Sequence, residues 1–289
     1  MNRLNESALI VSKRLIIVKH KSLLLVVVIC VLGVGGWFMV SPKPVGDRLA
    51  IAAASDLRYA LDALTAQFSQ LRPETAVSVS YGSSGNFFAQ LSNGAPFDVF
   101  LSADITYPQR LVALGLADAA SEFVYAEGRL VIWVPAGSAV DVERLGLRAT
   151  LDPAVARVAV ANPEHAPYGR AAVAALRGAG VFSAVKPRLV LGENVSQAFQ
   201  FVQSGAADLG IVALSLVRAP VVREAGRYWV VPAEAHPRLE QGGVIMRSAV
   251  HPEVAARFRA FMIGDAGRDL LADYGFIVAA AQSGLPSEP

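Results

Sequence analysis

Downstream of Gly46 the chain alternates short apolar runs with amphipathic stretches of helical length. Short apolar runs bounded by turn residues read as buried strands, and longer stretches with apolar positions three and four apart read as helices packed on them. The predicted strands are Leu49 to Ala53, Val77 to Tyr81, Val99 to Ser102, Leu130 to Val134, Val158 to Ala161, Arg188 to Leu191, Leu209 to Val212 and Val244 to Met246. The predicted helices are Leu57 to Leu71, Asn86 to Asn93, Pro108 to Leu114, Gly169 to Ala179, Ser196 to Ser204 and Pro252 to Ile263. Strands alternating with helices predict an α/β fold with mainly parallel sheets. Pro232 to Gly243, rich in charge and turn residues, reads as a solvated loop, and so does Gly94 to Asp98; both are candidates for a partner-facing surface.

The first 45 residues have a different pattern. Leu23 to Val40 is an apolar run of about 18 residues without charge, preceded by Lys13, Arg14, Lys19 and Lys21. A basic flank followed by a run of spanning length predicts export, with the flank inside and the rest of the chain outside. A cleaved signal peptide and a retained anchor both fit this pattern. Ser41 to Gly46, with two prolines, reads as a short stiff linker.

Charge then narrows the function. Of the 26 Lys and Arg residues, 6 lie in Met1 to Val45 with only 1 of the 24 acidic residues, which leaves 20 basic and 23 acidic residues downstream. That net of −3, without a basic run, excludes a nucleic-acid backbone as partner. The single cysteine, Cys30, lies within the apolar run, so the exported part has no disulfide, thiolate zinc site or catalytic thiol.

The candidate chemistry lies at four strand-to-helix junctions: Ala52-Ala-Ala-Ser55-Asp56, Tyr81-Gly-Ser-Ser84-Gly85, Asn162-Pro-Glu-His-Ala-Pro-Tyr168-Gly169 and Gly192-Glu-Asn-Val195-Ser196. In open α/β sheets ligands sit beyond the C-terminal strand ends, at such junctions. The first N–H groups of a helix lack intrahelical partners and carry partial positive charge, so an anion satisfies both deficits. Ser55 and Ser84 read as cap residues with hydroxyl donors, and Gly82 and Gly85 as points of close backbone approach to the ligand. These features predict an anion site without naming the anion.

Taken together and in order, these junctions with Asn93-Gly-Ala-Pro-Phe-Asp-Val-Phe-Leu-Ser-Ala-Asp104, Ala207-Asp-Leu-Gly-Ile-Val212 and Tyr274-Gly-Phe276 resemble the periplasmic molybdate-binding proteins of ABC transporters. The resemblance runs from about Arg48 to Phe276. It implies a type II periplasmic-binding-protein fold of two α/β lobes, 46–126 plus 231–289 and 127–230, each a mainly parallel sheet flanked by helices. One molybdate or tungstate ion would lie in the cleft between them, with no cofactor and no covalent chemistry. The resemblance further implies a monomer that delivers the ion to a membrane permease. The ligand roles it implies fall on Ser55, Ser84, Tyr168 and Val195, which would bind the ion's oxygens and not the metal itself.

Two departures stand out. Where some members of the family place a tyrosine after the Gly-Ile-Val strand, this chain has Ala213, and the Tyr168 phenol is a candidate replacement donor. Asp56, beside Ser55, reads as a solvated acid favourably placed in a first helical turn. His165 forms no ligand spacing with the other histidines and reads as a structural loop residue. Asp98 and Asp104 read as turn caps, and Trp133 and Trp229 as core or hinge packing. Rival readings are a receptor for sulfate or another tetrahedral oxyanion and a membrane-anchored oxyanion sensor. An enzyme is disfavoured because no nucleophile, base or metal set converges.

Overall fold

The computed structural model describes residues 46–278. The basic flank, the apolar run and the linker up to residue 45 lie outside the described residues, and among the described ones no helix is long and apolar enough to cross a membrane. The strands are β1 (Arg48–Ala54), β2 (Ala76–Gly82), β3 (Val99–Ser102), β4 (Phe123–Gly128), β5 (Leu130–Pro135), β6 (Val158–Ala161), β7 (Leu189–Gly192), β8 (Leu209–Ala213), β9 (Gly226–Val230) and β10 (Leu239–Ile245). The helices are α1 (Arg58–Leu71), α2 (Ser84–Ser92), α3 (Thr106–Ala113), α4 (Val142–Leu145), α5 (Pro167–Gly178), α6 (Phe182–Val185), α7 (Val195–Gln203), α8 (Leu214–Val217), α9 (Pro252–Ile263) and α10 (Asp265–Asp273).

Two five-stranded sheets form, in the orders β2-β1-β3-β10-β4 and β7-β6-β8-β5-β9. Each has two parallel and two antiparallel pairings, so the sheets are mixed where mainly parallel ones are expected. The cause is how the chain changes sheets. It leaves the first sheet through β4 and re-enters through β10, and it enters the second through β5 and leaves through β9. A strand of departure and a strand of return must run in opposite directions, which makes β4–β10 and β5–β9 antiparallel.

The first sheet is buried on both faces. Leu49, Ile51 and Ala53 of β1 join Leu61, Phe68 and Phe258 in one core. Ala52, pointing the other way, joins Phe87, Phe100 and Leu111 in another. The second sheet has its own core around Ile132, Trp133, Val160, Phe199 and Ile211, where the Trp133 and Phe199 rings meet edge to face at 4.9 Å. Burying side chains of this size contributes roughly 1.5–3 kcal/mol each, which fixes the sheets that carry the junctions.

Of the segment expected to be a solvated loop, Pro232 to Arg238 lies outside the sheet and is partly exposed, but Leu239 onward is the core strand β10 (Leu239–Ile245), which begins earlier than the predicted Val244 to Met246. Its register against β4 shifts between Gln241 and Gly242, and Gln241 is fully buried. The extra residue of the bulge is Tyr125 of β4, and Gln241 beside it reaches Asp56 and Tyr168.

Candidate anion site

β1, β2, β6 and β7 each end at one of the four junctions, and the helix starts that follow converge between the two sheets. They enclose a cavity of no more than about 190 Å³, lined by Ser55, Asp56, Ser84, Tyr168 and Val195 among others. Pockets for drug-sized ligands begin near ~300 Å³, so this one suits a compact ion. All four residues expected to hold the ligand line it. Ala213 does not; it is buried at the end of β8, immediately before α8.

The serines are set as donors by their own acceptor bonds. Ser55 Oγ accepts the Ser196 N–H at 3.2 Å, and Ser84 Oγ accepts the Ala103 N–H at 3.0 Å. Each oxygen accepts one N–H, and each hydroxyl hydrogen is left to donate elsewhere. Ser84 is the first residue of α2 and not its cap. The cap is Ser83, whose Oγ accepts the Asn86 N–H at 3.3 Å. Val195 and Tyr168 are the first and second residues of α7 and α5, where amides have no intrahelical acceptor. Among the described residues no lysine or arginine lines the cavity, and the positive potential there comes from helix ends.

The two halves meet directly around the cavity. Gly85 N–H donates to the His165 carbonyl at 2.9 Å, and the Ser83 hydroxyl lies 2.9 Å from His165 Nδ1. Asn86 Nδ2 donates to Glu193 Oε1 at 2.8 Å, and Arg170 reaches Asp104 at 2.6 Å. Gly85 therefore has a different role from the one expected. A Cβ there would lie 2.6 Å from the His165 carbonyl oxygen, so the glycine permits the two halves, not the ligand, to approach. His165 has the structural role expected of it. Asp98 is a buried pin, accepting the Ala50 N–H at 2.7 Å and the Val250 N–H at 2.8 Å. Asp104 does cap a turn, through the Thr106 N–H at 3.0 Å, but its other oxygen makes the bond to Arg170.

Asp56 is a correction. It is not solvated: it is 1% exposed and lines the cavity. The expectation failed because the first turn of this helix faces the second sheet, where the Ser215 hydroxyl donates to the Asp56 carbonyl at 2.7 Å. Gln241 Nε2 donates to Asp56 Oδ2, while Oδ1 has no hydrogen-bond partner among the described residues. The Gln241 amide is oriented by its other end, because its Oε1 lies 3.0 Å from the Tyr125 hydroxyl. The Tyr168 hydroxyl, 3.4 Å from Gln241 Nε2, faces the same carboxyl.

Burial pushes the Asp56 carboxyl up to about 6, against the opposing effect of Gln241, Tyr168 and the nearby backbone N–H groups of Asp56 and Leu57. Burial, and then the charge of Asp56, push both the Tyr168 and Tyr125 hydroxyls well above their ordinary range. Gln241 and Tyr125 were not picked out from the sequence. The available signal was a polar residue ahead of two glycines and an apolar run, Gln241-Gly-Gly-Val, where glycines within a strand pattern mark close backbone approach.

Comparison with known proteins agrees with this geometry. Residues 49–277 match the family model described as bacterial extracellular solute-binding protein. The molybdate-binding protein ModA of Rhodobacter capsulatus is 34% identical over 236 residues, 82% of this chain and 90% of its own. The ModA protein of Azotobacter vinelandii is 34% identical over 229 residues, 79% of this chain and 89% of its own. The solved periplasmic molybdate-binding protein of Azotobacter vinelandii superposes with a TM-score of 0.75 at 32% identity, covering 80% of this chain and 100% of that one.

Proposed function

This chain belongs to the bacterial extracellular solute-binding proteins, and from that premise we propose that it is the molybdate-binding component of an ABC uptake transporter, taking tungstate as well. It is a carrier and not an enzyme. The observation that carries this reading is the convergence of four helix starts from both sheets on one small cavity with no cationic side chain among the described residues that line it. A fully ionised tetrahedral oxyanion offers acceptors only. The Ser55 and Ser84 hydroxyls and the first-turn amides of Tyr168 and Val195 supply the donors, bonding the oxygens and leaving the metal atom untouched.

Binding is capture by closure. Lobes of 46–126 plus 231–289 and 127–230 each bring two junctions, so an open protein presents half of the donors and a closed one presents all of them. A membrane permease receives the ion from a monomer acting outside the cytoplasm, which the segment up to residue 45 either delivers as a signal peptide or holds as an anchor. Competition calorimetry on the purified chain with molybdate, tungstate and sulfate tests the reading. Molybdate and tungstate are expected to bind with similar affinity and sulfate at least about 100-fold more weakly, a margin of ~2.7 kcal/mol. Sulfate binding as tightly as molybdate would replace this reading with that of a general tetrahedral-oxyanion receptor.

A further inference from the structure

We propose that Asp56 is a fifth contact of the anion site, one that determines the ion's proton cost: its carboxyl is protonated when the oxyanion is bound and donates that hydrogen from Oδ1 to an oxyanion oxygen. This rests on reading the cavity as an oxyanion site. One proton is drawn from solvent per ion bound and released with it, and no covalent bond of the oxyanion changes.

Three observations converge on this. Asp56 lines the cavity and is 1% exposed, so water does not screen it from what the cavity holds. One carboxyl oxygen, Oδ2, receives Gln241 Nε2, whose orientation is set by the Tyr125 hydroxyl on Oε1; the other, Oδ1, has no hydrogen-bond partner among the described residues. A buried carboxyl in the lining of the anion cage, with one oxygen held by an amide, sets an acceptor among the hydroxyl and amide donors of Ser55, Ser84, Tyr168 and Val195. The titratable groups facing it are Tyr168 of α5 and Tyr125 of β4, both neutral at any physiological pH. The remaining polar neighbours, Gln241 of β10 and Ser215 of α8, carry no charge. No cation offsets a carboxylate there.

Placing a dianion beside an ionised carboxylate in this space would set acceptor against acceptor with nothing between. A single hydrogen on Oδ1 turns that clash into a charge-assisted O–H···O bond, the strong class of hydrogen bond. Burial, against the opposing hydrogen bonds, already pushes the carboxyl up to about 6, and a neighbouring dianion pushes it further in the same direction. The protonation is therefore driven from both sides.

Proton counting tests this. Calorimetric titration of the full chain with sodium molybdate at pH 6, 7, 8 and 9, in buffers of differing ionisation enthalpy, gives the protons taken up per ion. About one proton per ion is expected at pH 8, and affinity is expected to fall about tenfold per pH unit above pH 7. Asp56→Asn places an amide N–H where the acid O–H would be; it is expected to bind molybdate with no proton uptake and a flat pH profile. Wild-type uptake near zero with a flat profile overturns the proposal, and so does uptake that persists in D56N. Should D56N fail to fold, the wild-type proton count decides alone. No molybdate binding at any pH would overturn the oxyanion reading itself, a distinguishable result.

Discussion

At the scale of single residues, Asp56 makes stability depend on pH even without an ion. Its folded pKa, about 6, lies above the ordinary 3.8, so the folded chain holds this proton more tightly than the unfolded one. The penalty of burying the charged carboxylate is thus fully present above pH 6, shrinks as pH falls through 6, and is gone below 3.8. Its size is about 3 kcal/mol by the conversion of ~1.4 kcal/mol per pH unit. Ion-free D56N is expected to be more stable than wild type by up to that amount at pH 8 and to show no gain near pH 4. Urea titrations at both pH values check this, and equal midpoints at pH 8 would contradict it.

Residues also show where reading the sequence stopped. Ser55, Ser84, Tyr168 and Val195 were legible because strand ends followed by small polar residues announce helix starts, and all four line one cavity. Asp56 was misjudged because first-turn acids are ordinarily solvated, and nothing local reveals that another sheet covers this one. Ser83 and Ser84 were confused for a similar reason: which of two adjacent serines caps a helix is decided by backbone geometry one residue apart.

At the scale of elements, legibility followed the strength of the apolar period. The predicted Leu57 to Leu71 is a 3-10 turn over Ser55–Leu57 running into α1, and the predicted strand Val158 to Ala161 is β6. The edge strands β4 and β9 and the polar helix α10 were missed. Their residues are partly exposed, and Gly267 inside α10 weakens the helical signal; that glycine is explained by close approach to the Met262 carbonyl. A glycine also governs how α2 meets the loop before α5. Gly85→Ala would push a methyl against the His165 carbonyl at 2.6 Å and break the 2.9 Å bond between the halves. Closure should suffer while each half keeps its fold. Molybdate affinity is expected to fall about tenfold or more, the effect of losing one well-placed hydrogen bond with added strain, with the ion-free melting temperature little changed. A large loss of ion-free stability would show instead that the contact holds the fold.

At the scale of the whole molecule, polar contacts between side chains join the halves. Arg170 and Asp104, at 2.6 Å with side chains 39% and 25% exposed, form one, and Asn86 and Glu193 form another. A half-exposed ion pair is worth up to about 1 kcal/mol, so its loss should quicken ion release by about fivefold at most. Arg170→Met is expected to raise the dissociation rate by that factor and leave association nearly unchanged, as measured by stopped-flow fluorescence. A slower association rate would place Arg170 in ion capture and not in holding the halves together.

The two passages of the chain between the sheets leave from paired strands and arrive on paired strands: Gly128 lies opposite Leu239, and Val131 opposite Val230. Two straps side by side would act as the spine of a book, with the halves parting along one edge only. Entry and exit then share a single mouth. A transporter that draws the ion out must cover that mouth as it opens, so orientation on docking decides whether the cargo moves inward or is lost to the surroundings.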